Sequence, residues 1–215
     1  MKLEKKKMII SLGSTCSVAY QLQKLNQRII AYPFDWIKTE TLSDITRCIQ
    51  NNFLDFLKVE QICVSDKFPI FDPDIETFPE NNNNISQIMI NKYRMKFYHD
   101  FNAETDYKIV EEKYMRRINR FIQVIRTAEH ITFIRDEINM NKITIEQIDE
   151  FTNLISSMNS SLELKLIIIL HNPKKKKLND KLLNYNNDKV KIINDELEFK
   201  NWTRPNVDWE NLFIF

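Results

Sequence analysis

One thiol follows the only glycine of the chain at a point where a strand gives way to a helix. Gly13 lies three residues before Cys16, and the apolar run 8–12 precedes it. That run is typical of a buried strand, whereas residues 14–25 have apolar side chains at helical spacing. Gly13 therefore lies in a turn that needs backbone freedom, and we expect Cys16 in the first helical turn. Amides at a helix start favour negative charge, which lowers a thiol's pKa and indicates a nucleophile.

The same turn has two other interpretations. Helix-start amides also bind anions such as phosphate, and Cys16 would then take no part in catalysis. A free cysteine is, moreover, often a small buried residue that packs a helix against its sheet. The segment by itself leaves all three interpretations open.

A cysteine nucleophile needs a nearby base, and the chain has three histidines. His99 lies in an aromatic segment flanked by acids, which suits a partly buried imidazole. His171 follows a predicted strand at the sheet edge where α/β proteins place their sites, although an exposed turn histidine explains it equally well. His130 opens a strand at the opposite end, so we expect it to be structural or on the surface. The acids that could orient the base are Asp35, Asp100 and Asp136.

Strands and helices alternate in the second half of the chain. The pattern predicts helices over 39–51, capped by Thr39 or Thr41, and over 85–96, 104–129, 143–158 and 178–185, strands over 130–135, 164–170 and 190–193, and a final strand or tail over 212–215. We therefore predict a single α/β domain over residues 1–215, with a mostly parallel sheet flanked by helices in Rossmann-like or SGNH-like layering. Its carboxyl edge would bring together Cys16, Arg135 with Asp136, and His171.

An irregular insertion around residues 59–104 interrupts this alternation. Prolines, acids and aromatics lie close together there, and residues 81–84 are all asparagine. We interpret the insertion as an excursion that contains a hairpin, with the asparagine run in an exposed loop.

Composition narrows the partners and the compartment. The 215 residues include 43% hydrophobic and 28% charged side chains, and the net charge is +1. This balance is typical of a globular domain and argues against nucleic-acid and membrane-surface partners. The three cysteines form no CxxC pair, so we expect a reducing, cytoplasmic location with no metal and no cofactor. No apolar run is long enough for a signal peptide or a membrane span.

Several motifs together resemble a known family. They are residues 11–19 with the glycine-to-cysteine turn, Arg28, the Tyr-Pro-Phe-Asp-Trp run 32–36, the Tyr-His-Asp-Phe run 98–101, and segments 113–121, 133–135 and 208–213. This combination is similar to an uncharacterised family described as papain-like cysteine peptidases. The resemblance implies Cys16 as nucleophile, His99 as its partner and Asp35 as the orienting acid. It also implies an α+β papain-like fold as the alternative, while the turn itself is similar to the layout of SGNH-type esterases.

Three functions follow from these residues. The first is a cysteine-dependent acyl hydrolase whose helix-start amides, near residues 14–16, hold the oxyanion. Its substrate would be a peptide or isopeptide by resemblance, or an acylated small molecule. The second is a phosphate- or nucleotide-sugar-binding module or transferase in glycan metabolism, with Arg28, Arg116 or Arg135 as counter-charges. The third is a noncatalytic interaction protein that retains a decayed site.

The predicted pocket is drawn partly from the residues and partly from the resemblance. Its binding residues are Gly13, Ser14, Arg28, Trp36, Arg135 and Trp209. Neither the oligomeric state nor the exact substrate follows from the sequence.

Overall fold

A computed structural model describes residues 8–65, 86–101, 106–185, 187–198 and 201–214. In chain order the elements are β1 (Met8–Ser11), α1 (Ser17–Lys24), β2 (Ile37–Lys38), α2 (Leu42–Gln50), β3 (Val59–Ser65), β4 (Ser86–Asn91), β5 (Lys96–Phe97), α3 (Tyr107–Thr127), β6 (His130–Glu137), α4 (Ile145–Met158), β7 (Glu163–His171), α5 (Asp180–Leu183), β8 (Val190–Asp195) and α6 (Trp209–Ile214). The predicted asparagine loop 81–84 lies outside the described residues.

Four strands form a parallel sheet in the order β1-β6-β7-β8. Its two central strands, β6 and β7, are buried at nearly every position because helices cover both faces, so that alternate side chains of β7 enter different cores. Ile168 contributes to the larger core, and its neighbours Ile167 and Ile169 contribute to the smaller one. The prediction of an α/β fold built on a parallel sheet is confirmed for this half of the molecule.

Three strands of the predicted irregular insertion join β2 in a second, antiparallel sheet, in the order β2-β5-β4-β3. The expected hairpin corresponds to β3 paired with β4, with the connection 66–85 outside the described residues. The predicted helix over 85–96 is wrong, because residues 86–91 form β4 and Lys96–Phe97 forms β5. Strand pairing with β3 and β5 satisfies the backbone there, and this tertiary effect overrides the local helical spacing.

The larger hydrophobic core contains side chains from both sheets. Ile10 and Phe133 of the parallel sheet share it with Ile37, Met89 and Phe97 of the antiparallel sheet. Helices α2, α3 and α4 add further side chains to this core. The two sheets therefore pack through a common interior, which fixes β2 beside the end of β1.

The opposite face of the parallel sheet is covered by α1 and α6. Val18 and Leu22 of α1 pack in one cluster with Trp209 and Phe213. The predicted final strand or tail is wrong, because four-residue spacing puts Trp209 and Phe213 on one helical face that the sheet buries. Within the described residues, no helix is long and apolar enough to cross a membrane.

Candidate active site

The turn after β1 has the strained geometry that its single glycine predicts. Gly13 and Ser14 have φ values of +70° and +68°, in the left-handed region. A Cβ atom at Gly13 would lie 3.0 Å from both the methyl and the hydroxyl of Thr39. Glycine is therefore required for two reasons, its conformation and the close approach of the residue after β2.

A buried polar network supports this turn. The Thr39 hydroxyl accepts hydrogen bonds from the Ser14 amide at 2.9 Å and from Arg135 Nη1 at 2.7 Å. The Arg135 guanidinium also donates to the Leu12 carbonyl at 3.1 Å and pairs with Glu137 at 2.8 Å. Every group in this network is buried, so its role is to hold the turn in place.

Two predicted binding residues belong to that network. The Ser14 amide and hydroxyl bond to Thr39 and Glu137, so the expected use of this amide as an oxyanion donor does not fit the structure. Arg135 is fully buried and bonds inward, which likewise argues against a role as counter-charge to a bound anion. Arg135 was expected at the end of its strand, but β6 continues to Glu137, so Arg135 lies inside the strand.

The turn brings the predicted nucleophile and base together. Cys16 lies directly before α1, one residue earlier than expected, and its side chain is half-buried. Its Sγ atom lies 3.7 Å from His99 Nε2, within hydrogen-bonding distance for sulfur. His99 follows β5, so the antiparallel sheet carries the imidazole to a thiol at the end of the parallel sheet. The Trp36 ring meets the imidazole edge to face, with centroids 6.4 Å apart.

Both members of this pair are uncharged at rest. Burial, followed by the charges of Asp100 and Asp35, raises the pKa of the Cys16 thiol from 9.0 to about 12. Burial also lowers the pKa of His99, an effect that Asp100 opposes and Lys113 reinforces. The sequence-based expectation of a lowered thiol pKa is therefore wrong, because burial and two carboxylates outweigh the helix start.

The three predicted acids lie in different surroundings. Asp35 accepts a hydrogen bond from the Tyr32 amide at 2.9 Å and lies 3.5 Å from Arg28 Nε, and burial raises its pKa to about 6 despite these partners. Asp100 pairs with Lys113 and accepts a hydrogen bond from the Tyr114 hydroxyl at 2.7 Å. Among the three, Asp100 is the acid whose charge raises the pKa of His99.

Trp36 contacts His99 of the pair, and Arg28 lies against Trp36. The Arg28 guanidinium lies over the Trp36 ring, 5.3 Å from its centroid, and Trp36 packs against Ala19 in the cluster that includes Cys16. Trp209 does not join them, since it is buried in the other cluster beside Phe213. The expectation of Trp209 in the pocket is wrong because α6 faces the sheet.

A second polar cluster lies at the ends of β6, β7 and β8. Asp136 accepts a hydrogen bond from the Ser17 hydroxyl at 2.7 Å and lies 3.3 Å from Arg204, which also pairs with Asp195 and donates to His171. His171 is therefore buried, and its interpretation as an exposed turn residue is wrong. Burial raises the pKa of Asp136 to about 6, and Arg204 opposes this rise.

His130 follows its prediction as a surface residue and pairs with Glu163 at 2.7 Å. The sequence did not identify several residues that position the site. They are Thr39, Lys113, Tyr114, Trp202 and Arg204. Lys113 and Tyr114 lie within the helical segment 113–121, which contributes to the family resemblance. That resemblance was the one sequence signal for these two residues. Among the described residues, no group of three or more His, Cys, Asp or Glu could hold a metal ion.

Fold and site together define a mixed α/β protein with a cysteine–histidine pair at the end of its first parallel strand. The model of the family described as "Putative papain-like cysteine peptidase (DUF1796)" matches residues 7–174, and the chain belongs to this family. An uncharacterized protein of Acanthamoeba polyphaga mimivirus is 33% identical over 222 residues, covering 96% of this chain and 97% of its own. No solved structure matches. The family fits the α+β alternative, and the antiparallel sheet agrees with it.

Proposed function

We propose that the protein is a cysteine-dependent acyl hydrolase with Cys16 as nucleophile and His99 as general base. The observation that carries this proposal is the 3.7 Å approach of Cys16 Sγ to His99 Nε2 at the start of α1. Family membership supports a peptide or isopeptide as the acyl donor. The layering of helices on the four parallel strands supports an SGNH-like arrangement with a thiol in place of the hydroxyl.

The proton transfers follow from the neutral resting pair. His99 Nε2 takes the thiol proton while Sγ attacks the substrate carbonyl, so the imidazole carries its own proton on Nδ1 beforehand. The protonated imidazole then gives the Nε2 proton to the leaving amine or alcohol, and a thioester forms on Cys16. Water enters next, loses a proton to Nε2 and attacks the thioester, which releases the acid and restores the thiol.

The developing oxyanion needs donors that are not already used. The amides of Thr15 and Cys16 make no hydrogen bond to the residues that the structure describes, so we assign the oxyanion to them instead of to Ser14. Gly13 and the network beneath it hold these amides in place. Preorganised amides of this kind stabilise charge without reorganisation during the reaction.

We assign the supporting acid to Asp100. Its carboxylate is the charge that raises the pKa of His99, whereas the contacts of Asp35 go to Tyr32 and Arg28. A negative charge beside the imidazole stabilises the imidazolium that forms during attack. Asp35 then serves mainly to order the loop 32–36, which includes Trp36.

The phosphate- or nucleotide-sugar-binding alternative has less support. It needs helix-start amides and arginines that face a ligand, yet the Ser14 amide, Arg28 and Arg135 already bond within the protein. No contact of the described residues favours it over acyl transfer.

Acylation by an activated ester tests the proposal. The protein, with Cys63 changed to Ser so that Cys16 and the buried Cys48 are the remaining thiols, is mixed with p-nitrophenyl acetate. We expect a burst of p-nitrophenol and an acetyl adduct on Cys16, located by peptide mass spectrometry. His99→Gln should slow acylation about 100-fold, the lower range of general-base contributions.

His130→Gln is the matched control, because it removes an exposed imidazole that lies at the other end of β6. It should leave the acylation rate unchanged. An adduct on Cys48 alone, or equal rates for His99→Gln and the parent protein, would contradict the proposed function.

A further inference from the structure

We infer that Tyr20 and Trp202 form the wall of a substrate subsite that takes an aromatic or large aliphatic side chain beside the scissile carbonyl. This inference rests on the proposed function and adds the substrate class. It also gives a role to the C-terminal segment, which lies beyond residues 7–174 that the family model matches.

Tyr20 reaches the site from the helix that Cys16 precedes. Its amide donates to the Cys16 carbonyl at 3.0 Å, which puts the two residues one helical turn apart on the same face of α1. The Trp202 ring meets the Tyr20 ring edge to face, with centroids 5.2 Å apart. Both rings are half-buried and pack against Ala19 and Trp36, the same pair that Cys16 packs against. Two partly accessible aromatic rings therefore adjoin the nucleophile.

The segment that bears Trp202 is firmly anchored. The Gln21 side chain donates to the Thr203 carbonyl at 2.6 Å, and Trp209 Nε1 donates to the Arg204 carbonyl at 2.9 Å. Arg204 has a φ of +54° and is buried among the carboxylates of Asp136 and Asp195. Such a conformation persists only where the surroundings fix it, and strain of this kind is common beside functional sites. The wall is thus preorganised before any ligand arrives.

The chemistry of the surroundings favours an uncharged, apolar group. Arg28 pairs with Asp35 and lies over Trp36, and Asp100 pairs with Lys113, so these four charged groups are paired within the protein. Sugar binding would require polar groups directed at ring hydroxyls beside the aromatic platform. Faces and edges of aromatic rings instead suit the burial of another aromatic or a branched aliphatic side chain.

Two esters of equal reactivity and different side chain test the inference. The probes are the p-nitrophenyl esters of N-acetyl-phenylalanine and N-acetyl-alanine, each acylating Cys16 in the Cys63→Ser protein. We expect the phenylalanyl ester to acylate Cys16 about ten times as fast as the alanyl ester, because one aromatic ring is buried on the wall. The ratio of these two rates measures the selectivity. Trp202→Ala should abolish this ratio, chiefly by slowing the reaction of the phenylalanyl ester. Trp202→Phe should retain most of the ratio.

Two further variants separate selectivity from folding. Tyr20→Leu tests the wall from α1, without altering the C-terminal segment, and should lower the ratio as well. Leu197→Ala removes an exposed apolar side chain elsewhere in that region and should leave the ratio unchanged. An unchanged ratio in both Trp202→Ala and Tyr20→Leu overturns the inference, as does a parent preference for N-acetyl-glutamate or an acylated sugar. Failure of both esters to acylate Cys16 instead refutes the proposed function beneath it.

Discussion

The resting thiol of Cys16 should be alkylated slowly at neutral pH, because it is protonated there. Burial and the charges of Asp100 and Asp35 raise the pKa of this thiol to about 12. The lowered pKa of His99 favours the neutral imidazole, so the ring supplies no positive charge to stabilise a thiolate. The alkylation rate should therefore rise with pH, without levelling off below about pH 10.

The expected size of the effect follows from the same pKa. A difference of about three units from the ordinary value of 9.0 makes the thiolate about 1,000-fold scarcer at pH 8. A more basic thiolate is also more nucleophilic, and a Brønsted slope near 0.45 over three units recovers about 20-fold. We therefore expect Cys16 to react about 50-fold more slowly than an unhindered peptide cysteine of ordinary pKa.

Iodoacetamide kinetics over about pH 6 to pH 10 measure this rate, with Cys63→Ser as the background. Cys48 is fully buried, and a Cys16→Ala variant measures its residual contribution. Asp35→Asn removes one of the charges that raise the pKa of the thiol, so it should increase the rate at pH 8. Asp35→Glu keeps the charge and serves as its control.

One result would refute this reasoning. A rate that reaches its plateau near neutral pH means a thiolate–imidazolium pair already exists in the free protein. The 3.7 Å pair would then be ionic, and the proton transfer described above would take place before the substrate binds.

Three other outcomes are expected. Gly13→Ala forces a side chain into left-handed backbone at a 3.0 Å approach, and it should cost about 1–3 kcal/mol of unfolding free energy in urea denaturation. Arg135→Met leaves the buried Glu137 carboxylate without its cation and should cost about 3–5 kcal/mol of unfolding free energy. The double variant Arg135→Met with Glu137→Gln should recover part of this loss. Asp100→Asn removes the charge that raises the pKa of His99, so the acid limb of the pH–acylation profile should move to lower pH, and an unmoved limb contradicts the role of Asp100.

Local signals predicted the parallel sheet and the position of the thiol. The apolar strands and the amphipathic spacing of α3 are readable because each periodicity reports a buried face directly. The lone glycine predicted the turn for a similar reason, since its φ is positive and a Cβ atom there would lie 3.0 Å from Thr39. The pairing of Cys16 with His99 came from the family resemblance and from the aromatic, acidic surroundings of the histidine.

Long-range contacts were not readable in the same way. β4 has helical spacing of apolar residues and becomes a strand because β3 and β5 pair with it. The raised pKa of the thiol depends first on burial and then on Asp100 and Asp35, and all three effects come from tertiary packing. Arg135 was expected to face a ligand, and burial among Thr39, Leu12 and Glu137 gives it a structural use instead.

The hydroxyl of Thr39 has a consequence for biosynthesis. This hydroxyl links the turn before Cys16 to the guanidinium of Arg135, which lies 96 residues after Thr39 in the chain. A nascent polypeptide acquires that support only after residue 135 has been translated, and the imidazole at position 99 also emerges long after the cysteine. The growing chain therefore lacks the assembled cysteine–histidine pair, and the proposed acyl transfer can begin only after synthesis, when the tertiary structure closes.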